Sequence, residues 1–308
     1  MTAPTETGAA RKRIGIDLGG TKIAGVVLGA DGGIEVERRV PAPRGDYHAT
    51  VAALADMVAA LERVSGQTAT VGIGMPGSIA PRTGRVQNAN SVWLNDKPLK
   101  ADLEARIGRP VRLANDANCF ALSEPTDGAA AGARIVFGVI VGTGCGGGIV
   151  VDGRLVDGPR SIGGEWGHTP LPWMRAEELG ATTCWCGRSG CLETWVSGTG
   201  LEADYARSTG RTARGQEIVE AVTGGEVGAV GALDRHADRL ARGLAAIANI
   251  LDPDVIVLGG GLSNLASLYR ELPKRMAPYV FAEDTRVDIR PPRWGDASGV
   301  RGAAWLWD

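Results

Sequence analysis

The sequence predicts an α/β protein of two domains, and three observations support this prediction. The chain has 308 residues, which is longer than one compact core usually requires. Short apolar runs typical of buried strands alternate with stretches that repeat apolar residues at helical spacing. A pattern of strand, glycine-rich turn and strand begins at Arg13 and returns near Ile135, which indicates two domains that start in a similar way.

The first half of the chain opens with an antiparallel meander. RIGID, KIAGVVLG and IEVERRV predict three strands, separated by the LGGT and Asp31-Gly32 turns. Residues 48–64 predict a helix, because five apolar side chains fall on one face: Leu54, Met57, Val58, Leu61 and Val64. TVGIGMPG and VRLAND (111–116) predict two further strands, and the last residues of VRLAND open the helix ANCFALSE.

The second half of the chain repeats the opening pattern and then becomes helical. Residues 135–153 predict strand, glycine-rich turn and strand. Residues 233–251 predict an amphipathic helix that ends before Pro253. DVIVLGGG (254–261) predicts a buried strand that runs into three glycines, while SNLASLYRELPKRM and SGVRGAAWLW predict helices.

Charge and hydropathy exclude several classes of partner. A net charge of −2 gives no basis for binding nucleic acid or an anionic membrane. Every long apolar stretch is interrupted by glycine or charge, so no transmembrane helix is predicted. The first twelve residues, MTAPTETGAARK, lack the apolar core of a signal peptide and predict a disordered tail. We therefore expect a cytoplasmic protein.

Three glycine-rich loops that follow apolar strands predict a phosphate site. Glycine lets backbone N–H groups approach phosphate oxygens without obstruction by side chains. In the first loop Asp17 ends a strand, where its carboxylate is placed to hold Mg²⁺ directly or through water. The pattern is not the P-loop GxxxxGK[ST]. The residues that we expect to bind nucleotide are Asp17, Gly19, Gly20, Thr21, Lys22, Gly142, Thr143, Gly144, Gly259 and Gly260.

Asp116 is the candidate general base. It stands in Asn115-Asp116 where a strand gives way to a helix, a place from which a side chain points into a cleft. Phosphoryl transfer to an alcohol benefits from a carboxylate that accepts the hydroxyl proton. An Asn-Asp pair at such a place is also typical of a helix cap, and this alternative stays open from the residues alone.

Three cysteines within eight positions predict a metal site. Cys184, Cys186 and Cys191 have compact metal-ligand spacing and leave one position open on a tetrahedral zinc ion. The alternative is a set of three free thiols. Cys119 and Cys145 stand alone, and we interpret each as a small buried apolar residue.

The motifs DLGGTK, GTGCGGG and LGGG, in this order, resemble the ROK family of bacterial sugar kinases and repressors. This family belongs to the actin-like ATPase superfamily, and the resemblance runs from Arg13 to Trp307. It implies an α/β, two-domain actin-like ATPase (ribonuclease H-like) fold with the active site and its ATP in the interdomain cleft. We expect a tail at 1–12, an N-terminal domain of 13–122 with 298–308, and a C-terminal domain of 123–297 that carries the zinc-binding loop.

The resemblance also implies roles for individual residues. LANDAN is similar to the family's sugar-binding segment, in which the residue matching Asp116 is the catalytic base. GEWGH matches the ExGH element and CWCGRSGCLE matches CxCGxxGCxE, with His168 expected as the fourth ligand of a structural zinc and also, through its other nitrogen, as a sugar contact. The sugar-binding residues expected on this basis are Gly77, Ser78, Asn90, Asn115, Asp116, Glu165, His168 and Glu193.

Within the family the sequence resembles the fructokinase/mannokinase branch. NANSVWLN (88–95), GEWGHTPLPW and GVRGAAWLW support this assignment. It implies ATP-dependent phosphorylation of D-fructose at the 6-hydroxyl, with mannose, glucose or N-acetylglucosamine as alternative substrates, and a homodimer. A repressor is disfavoured because only twelve residues precede Arg13. A sugar-sensing regulator without catalysis is the alternative from another class.

Overall fold

The computed structural model describes residues 12–180 and 182–308. The chain divides into two units. Unit 1 consists of the chain up to Ser123, Asp157–Ile162 and Ala297–Asp308, and unit 2 consists of Glu124–Val156 and Gly163–Asp296. Apart from Lys12, the residues of the expected tail at 1–12 lie outside the described part of the chain.

Unit 1 contains a sheet of five strands in the order β3-β2-β1-β4-β7. Its strands and helices, with a small two-stranded sheet of β5 and β6, are β1 (Arg13–Leu18), β2 (Lys22–Leu28), β3 (Ile34–Pro41), α1 (Tyr47–Ser65), β4 (Thr70–Met75), β5 (Ser78–Ile79), β6 (Val86–Gln87), α2 (Leu99–Ile107), β7 (Arg112–Asn115) and the start of α3 (Asp116–Asp127). β1, β2 and β3 are antiparallel, whereas β4 and β7 run parallel to β1. The predicted meander is confirmed.

Helix α1 packs its predicted apolar face on this sheet. Leu54 and Leu61 are fully buried in the core cluster with β1 and β4, while Val64 is exposed. The helix begins where the Asp46 carboxylate accepts the N–H of Ala49 at 3.0 Å, and it ends at Gly66 in the left-handed conformation. Both ends therefore have standard caps.

Unit 2 contains a second sheet of five strands, in the order β10-β9-β8-β11-β12. Its elements are β8 (Ile135–Val141), β9 (Cys145–Val151), β10 (Arg154–Leu155), α4 (Glu193–Val196), α5 (Gly198–Thr209), α6 (Gly215–Thr223), α7 (Val227–Leu251), β11 (Val255–Gly259), α8 (Ala266–Met276) and β12 (Ile289–Arg290). β8 and β9 are antiparallel, and β11 runs parallel to β8.

Two helices of unit 2 differ from their predicted bounds. α7 starts at Val227 rather than at 233, because the Glu226 carboxylate caps it by accepting the N–H of Ala229 at 2.9 Å. In the predicted helix SNLASLYRELPKRM, Ser263 and Asn264 belong to a 3-10 turn, and α8 starts at Ala266. The early start of α7 is therefore explained by a polar N-cap that lies ahead of the apolar residues from which the helix was predicted.

Helix α9 (Ser298–Trp305) returns to unit 1 and packs against β1 and β4. A Cβ atom at Gly15 would lie 2.0 Å from Val300 O, and one at Gly72 would lie 1.8 Å from Ala303 O. These distances are far below van der Waals contact, so the helix reaches the sheet only because both strand residues are glycines. Among the described residues, the structure has no helix long and apolar enough to cross a membrane.

Candidate active site and metal centre

The expected sugar and magnesium residues of unit 1 follow neighbouring parallel strands. Asp17 is the penultimate residue of β1, Gly77 and Ser78 come after β4, and Asn115 and Asp116 form the junction of β7 and α3. Because β1, β4 and β7 run parallel, their carboxyl ends meet at one edge of the sheet. The structure thus gathers these five predicted residues at one edge of unit 1.

Two carboxyl groups at this edge influence each other. Burial and, to a smaller extent, the nearby Asp116 raise the pKa of Asp17 to about 6, although Lys22 opposes both effects. Desolvation by the surrounding protein also raises the pKa of Asp116, although the residue as a whole remains accessible to solvent. Hydrogen bonds from the N–H of Ala117 and from the side chain of Asn115 act in the opposite direction and lower this pKa. Two neighbouring carboxyl groups with raised pKa values are typical of a site that binds a cation or accepts a proton.

Asn115 connects the two strand ends beside this pair. Its Nδ2 donates to Gly77 O at 3.2 Å, and its Oδ1 accepts the N–H of Ala117 at 2.9 Å. Asn115 therefore caps α3, while Asp116 points its carboxyl group from the first residue of the helix. The helix-cap alternative applies to Asn115 and in part to Asp116, whose Oδ1 accepts the same N–H at 2.8 Å. A carboxylate has further acceptor capacity, so this bond is compatible with the chemistry predicted for Asp116.

The segment 88–95 presents Asn90 on a supported loop. Asn95 accepts the N–H of Ala89 at 2.8 Å and donates to Ala89 O at 2.9 Å, and Asn90 itself is exposed. Leu94 is fully buried and Trp93 donates to Thr50 Oγ1 at 3.3 Å. Much of the NSVWLN pattern thus stabilises the loop.

The second glycine loop forms the Gly142 turn, residues 142–145, between β8 and β9. It opens on a cavity of about 870 Å³ within unit 2, a volume that suits a small-molecule ligand. Gly260 lies against the backbone of Val141, since a Cβ atom there would be 2.5 Å from Val141 O. The two predicted loops of unit 2 are therefore adjacent.

Sequence reasoning missed the polar side chains of this cavity. Glu202, Arg214, Gln216 and Asn264 line it together with Gly142, Thr143 and Gly261. Glu202 accepts the N–H of Gly215 at 2.8 Å and so joins α5 to the start of α6. Arg214 and Gln216 lie at the start of α6, Asn264 lies in a 3-10 turn and Glu202 lies within α5. They form no motif, so the sequence alone gives no signal for them.

The predicted metal ligands come together. One ligand atom each from His168, Cys184, Cys186 and Cys191 lies within 4.8 Å of the others. His168 Nδ1 is 3.6 Å from Cys184 Sγ, and Cys186 Sγ is 3.6 Å from Cys191 Sγ. Zn–S bonds of about 2.3 Å in a tetrahedron place sulfur atoms about 3.8 Å apart, so this donor set fits zinc.

Backbone hydrogen bonds of the cysteine loop, residues 182–191, bring its three thiols together. The N–H of Cys184 donates to Arg188 O at 2.8 Å and that of Gly187 to Cys184 O at 2.9 Å. This tight turn brings Cys184 and Cys186 to one side, and Cys191 returns beside Pro170 through an antiparallel bridge. The four protein ligands close the site, which suits a structural rather than a catalytic metal.

Buried arginines of α7 anchor both flanks of the cysteine loop. Arg242 is fully buried and contacts Glu178 Oε1 at 2.7 Å and Trp173 O at 2.8 Å. Arg239 contacts the same carboxylate at 2.7 Å and lies 4.5 Å from the centre of the Trp195 ring. Burial would raise the pKa of Glu178, but hydrogen bonds from Arg242, the N–H of Arg175 and Arg239 lower it to about 2.

Glu165 and Glu193, the two other expected sugar ligands of unit 2, adjoin the metal residues. Glu165 precedes the 3-10 turn Trp166–His168 and is partly accessible. Glu193 Oε1 accepts the indole N–H of Trp185 at 2.8 Å, and Oε2 accepts the N–H of Cys145 at 2.9 Å. Oε1 also lies 4.0 Å from Cys184 Sγ, and Oε2 keeps a second lone pair that leaves capacity for a sugar hydroxyl.

Comparison with known proteins identifies the family. A profile described as the ROK family matches residues 13–308. The chain belongs to the ROK family. A ROK hexokinase from Thermus thermophilus is 34% identical with a TM-score of 0.84, and the match covers 95% of this chain and 96% of that one. These matches confirm the α/β, two-domain actin-like fold expected for a ROK protein.

Further relatives of the ROK chain are also sugar kinases. The N-acetyl-D-glucosamine kinase of Photobacterium profundum is 41% identical over 296 residues, covering 95% of this chain and 98% of the relative. A glucokinase from Streptomyces griseus, solved with glucose and AMPPNP, is 30% identical with a TM-score of 0.79, covering 96% and 98% of the two chains. The activity that these comparisons support is that of a ROK sugar kinase.

The expected place in the fructokinase branch is not confirmed. The curated relative described above is an N-acetyl-D-glucosamine kinase, as is one from Escherichia coli O6:H1 that is 40% identical over 296 residues, and neither supports fructose as the substrate. The structure gives a physical reason for the uncertain assignment. Trp93, Leu94 and Asn95, which contributed to it, hold the loop together by packing and hydrogen bonds.

Proposed function

We propose that this ROK kinase transfers the γ-phosphate of ATP to the 6-hydroxyl of a hexose, with N-acetyl-D-glucosamine as its leading substrate. The observation that carries the proposal is the pair of neighbouring carboxyl groups, Asp17 and Asp116, whose pKa values are both raised at one sheet edge. Identity of 41% to an N-acetyl-D-glucosamine kinase over nearly the whole chain supports the choice of sugar.

Asp116 is the general base of the proposed reaction. As the 6-hydroxyl oxygen attacks the γ-phosphorus, Asp116 accepts the hydroxyl proton and the ADP oxygen leaves. The raised pKa of Asp116 brings its affinity for a proton closer to that needed near neutral pH. Asn115 orients the junction from which this carboxylate projects.

Asp17 and the glycine loops bind MgATP in this proposal. The Asp17 carboxylate holds Mg²⁺ directly or through water, and Mg²⁺ when bound neutralises the phosphate oxygens. Gly19, Gly20, Thr21 and Lys22 contact phosphates, as do the residues of the Gly142 turn. Gly259 and Gly260 lie beside the cavity of about 870 Å³, which is a suitable size for the nucleoside.

The sugar contacts of this proposal are the residues expected from the sequence. Gly77, Ser78, Asn90 and Asn115 of unit 1 contribute backbone and amide groups. Glu165, His168 and Glu193 of unit 2 contribute carboxylates and an imidazole, each able to bind sugar hydroxyls. His168 offers Nδ1 to the metal, as its 3.6 Å separation from Cys184 Sγ indicates, and Nε2 to a hydroxyl.

The structural metal is zinc in this proposal, and it fixes the segment that carries Glu165 and Glu193. We further propose a cytoplasmic homodimer. Light scattering of the purified protein measures the mass directly, and a mass of one chain of 32.0 kDa would contradict the dimer.

The decisive experiment is a coupled assay of ADP release with MgATP and four sugars. We expect the highest kcat/KM with N-acetyl-D-glucosamine, ahead of glucose, mannose and fructose. A preference for fructose would restore the assignment from the sequence, while keeping the kinase. No turnover with any sugar, in protein shown to contain zinc, would contradict the kinase and favour a sugar-sensing regulator.

A further inference from the structure

The segment that follows the cysteine loop supports the Gly142 turn from outside. The N–H of Gly198 donates to Gly142 O at 2.7 Å, and Thr199 Oγ1 donates to Thr143 O at 3.0 Å. The Cys145 end of the turn is held by Glu193, whose Oε2 accepts the Cys145 N–H at 2.9 Å. The conformation of the turn therefore depends on a segment that begins two residues after Cys191.

Glu193 is in turn held by Trp185 of the cysteine loop. The indole N–H of Trp185 donates to Glu193 Oε1 at 2.8 Å, and its ring meets that of His168 edge to face at 5.1 Å. The Trp185 residue is 60% exposed, so burial holds its ring less firmly than it would hold a tryptophan in the core. The hydrogen bond to Glu193 is its specific polar contact.

The hydrogen bond from Trp185 matters because Glu193 is charged and lies beside the Gly142 turn. Glu193 lies so near the turn that a Cβ atom at Gly144 would be 2.8 Å from its Oε2. A freely rotating carboxylate beside a phosphate-binding turn would repel the phosphate. N–H donors on both carboxylate oxygens fix its orientation and disperse part of its charge.

We propose that Trp185 is a positioning residue, which orients Glu193 and through it the Gly142 turn for a nucleotide phosphate. The proposal rests on the proposed function, since it takes the Gly142 turn as a phosphate site. Without the indole N–H, Glu193 loses one of two fixed donors, and the N–H of Cys145 loses a well-placed acceptor. Nucleotide affinity then falls while the metal ligands stay in place.

The test is Trp185→Phe, which keeps an aromatic ring and removes the N–H. Calorimetric titration with Mg-AMPPNP measures nucleotide affinity without turnover. We expect the Kd to rise about three- to tenfold, the scale of one ordinary intramolecular hydrogen bond, because the effect on the nucleotide is indirect. Zinc content is expected to stay at the wild-type value. The matched control is Trp173→Phe, a half-exposed tryptophan whose ring packs on Tyr279, and we expect less than a twofold change.

A double-mutant cycle shows whether Trp185 acts through Glu193. In a Glu193→Gln background, we expect Trp185→Phe to change the Kd less than twofold, because the oriented carboxylate is already gone. An unchanged Kd in Trp185→Phe alone would overturn the proposal. Loss of zinc from that variant would also overturn it, by assigning Trp185 to the integrity of the metal site. Failure of the wild-type protein to bind Mg-AMPPNP would instead contradict the proposed function itself.

Discussion

The two sheets of this chain share the same strand pairing, and they differ in the carboxylate that lies beside the glycine-rich turn of the first hairpin. In both sheets the first strand pairs antiparallel with the second and parallel with a later one. In unit 1 the carboxylate beside the turn is Asp17, on the first strand itself. In unit 2 it is Glu193, on helix α4, which lies 48 positions after Cys145 in the sequence.

This difference separates two ways of placing charge at a turn. Asp17 is fixed by the strand that carries it, and its pKa rises because the fold buries it near Asp116. Glu193 is fixed by Trp185 and Cys145, donors from two other segments. In the proposed function, Asp17 lies at a cation site, which tolerates the first arrangement well, whereas the Gly142 turn binds an anion and needs donors on its neighbouring carboxylate. The shared strand pairing therefore supports two different tasks.

Among the substitutions that compare the two units, we expect the largest effect, a loss of kcat, from Asp116→Asn in unit 1. Because the amide cannot accept the hydroxyl proton, we expect kcat to fall about 10²- to 10⁴-fold. Sugar binding measured by calorimetry should change little, since the amide has the same shape. Asp56→Asn, on the exposed face of α1, is the matched control and should keep full activity. Near-normal turnover of Asp116→Asn would remove Asp116 as the base.

The next largest effect is expected in unit 2, from Cys184→Ser. With one of three thiolates removed, we expect zinc to be lost and the Tm to fall on the order of 10 °C. Metal analysis and calorimetry measure the two quantities on the same sample. Ser189→Ala, in the same loop, is the control. A stable and active variant without zinc would contradict a structural metal.

A moderate effect with a defined pH dependence is expected from Asp17→Asn. Since the folded-state pKa is raised from 3.8 to about 6, the folded protein retains a proton that the unfolded chain releases. Stability therefore falls as pH rises through this window, and the cost is fully present above pH 6, at most about 3 kcal/mol. Partial exposure of the side chain reduces this figure.

The substitution removes that cost, so we expect a higher Tm at pH 7.5 without Mg²⁺ and a smaller gain at pH 5. Activity should fall in the same variant, because the expected magnesium ligand is gone. Thermal unfolding at the two pH values measures the difference. An equal gain at both would show that the ionisation of Asp17 is not its cause.

The smallest effect compares the two turns directly, through Gly20→Ala and Gly144→Ala. A Cβ atom at Gly20 meets nothing within 4 Å, whereas one at Gly144 displaces Glu193. Without ligand, we expect Gly20→Ala to leave the free energy of unfolding unchanged and Gly144→Ala to lower it by about 1 kcal/mol. Urea unfolding measures both. The reverse order would contradict the role of Glu193 as a support of the Gly142 turn.

Some of this architecture could be predicted because its signals are local. The strand, glycine turn and strand pattern predicted both hairpins, and the spacing of Cys184, Cys186 and Cys191 predicted a metal cluster that the fold brings together. The change from strand to helix at Asp116 was likewise contained in a few consecutive residues.

Other features depend on contacts between residues far apart in sequence. Glu178 and Arg242 form a buried ion pair across 64 positions, and neither residue differs locally from one on a solvated surface. The polar lining of the unit 2 cavity comes from α5, the start of α6 and a 3-10 turn. The branch assignment is not confirmed, and the pattern at 91–95 on which it partly rested has a structural role, because Trp93, Leu94 and Asn95 pack and hydrogen-bond within the loop.

The return of α9 to unit 1 has a consequence for how the chain folds during synthesis. Val300 and Ala303 cover Gly15 and Gly72, so the face formed by β1 and β4 is closed by a helix that the ribosome makes only after all of unit 2. Domains usually fold as they emerge, in order from the N-terminus. We therefore expect unit 1 to complete its packing only after all of unit 2 has been synthesised, although most of its sheet is made first.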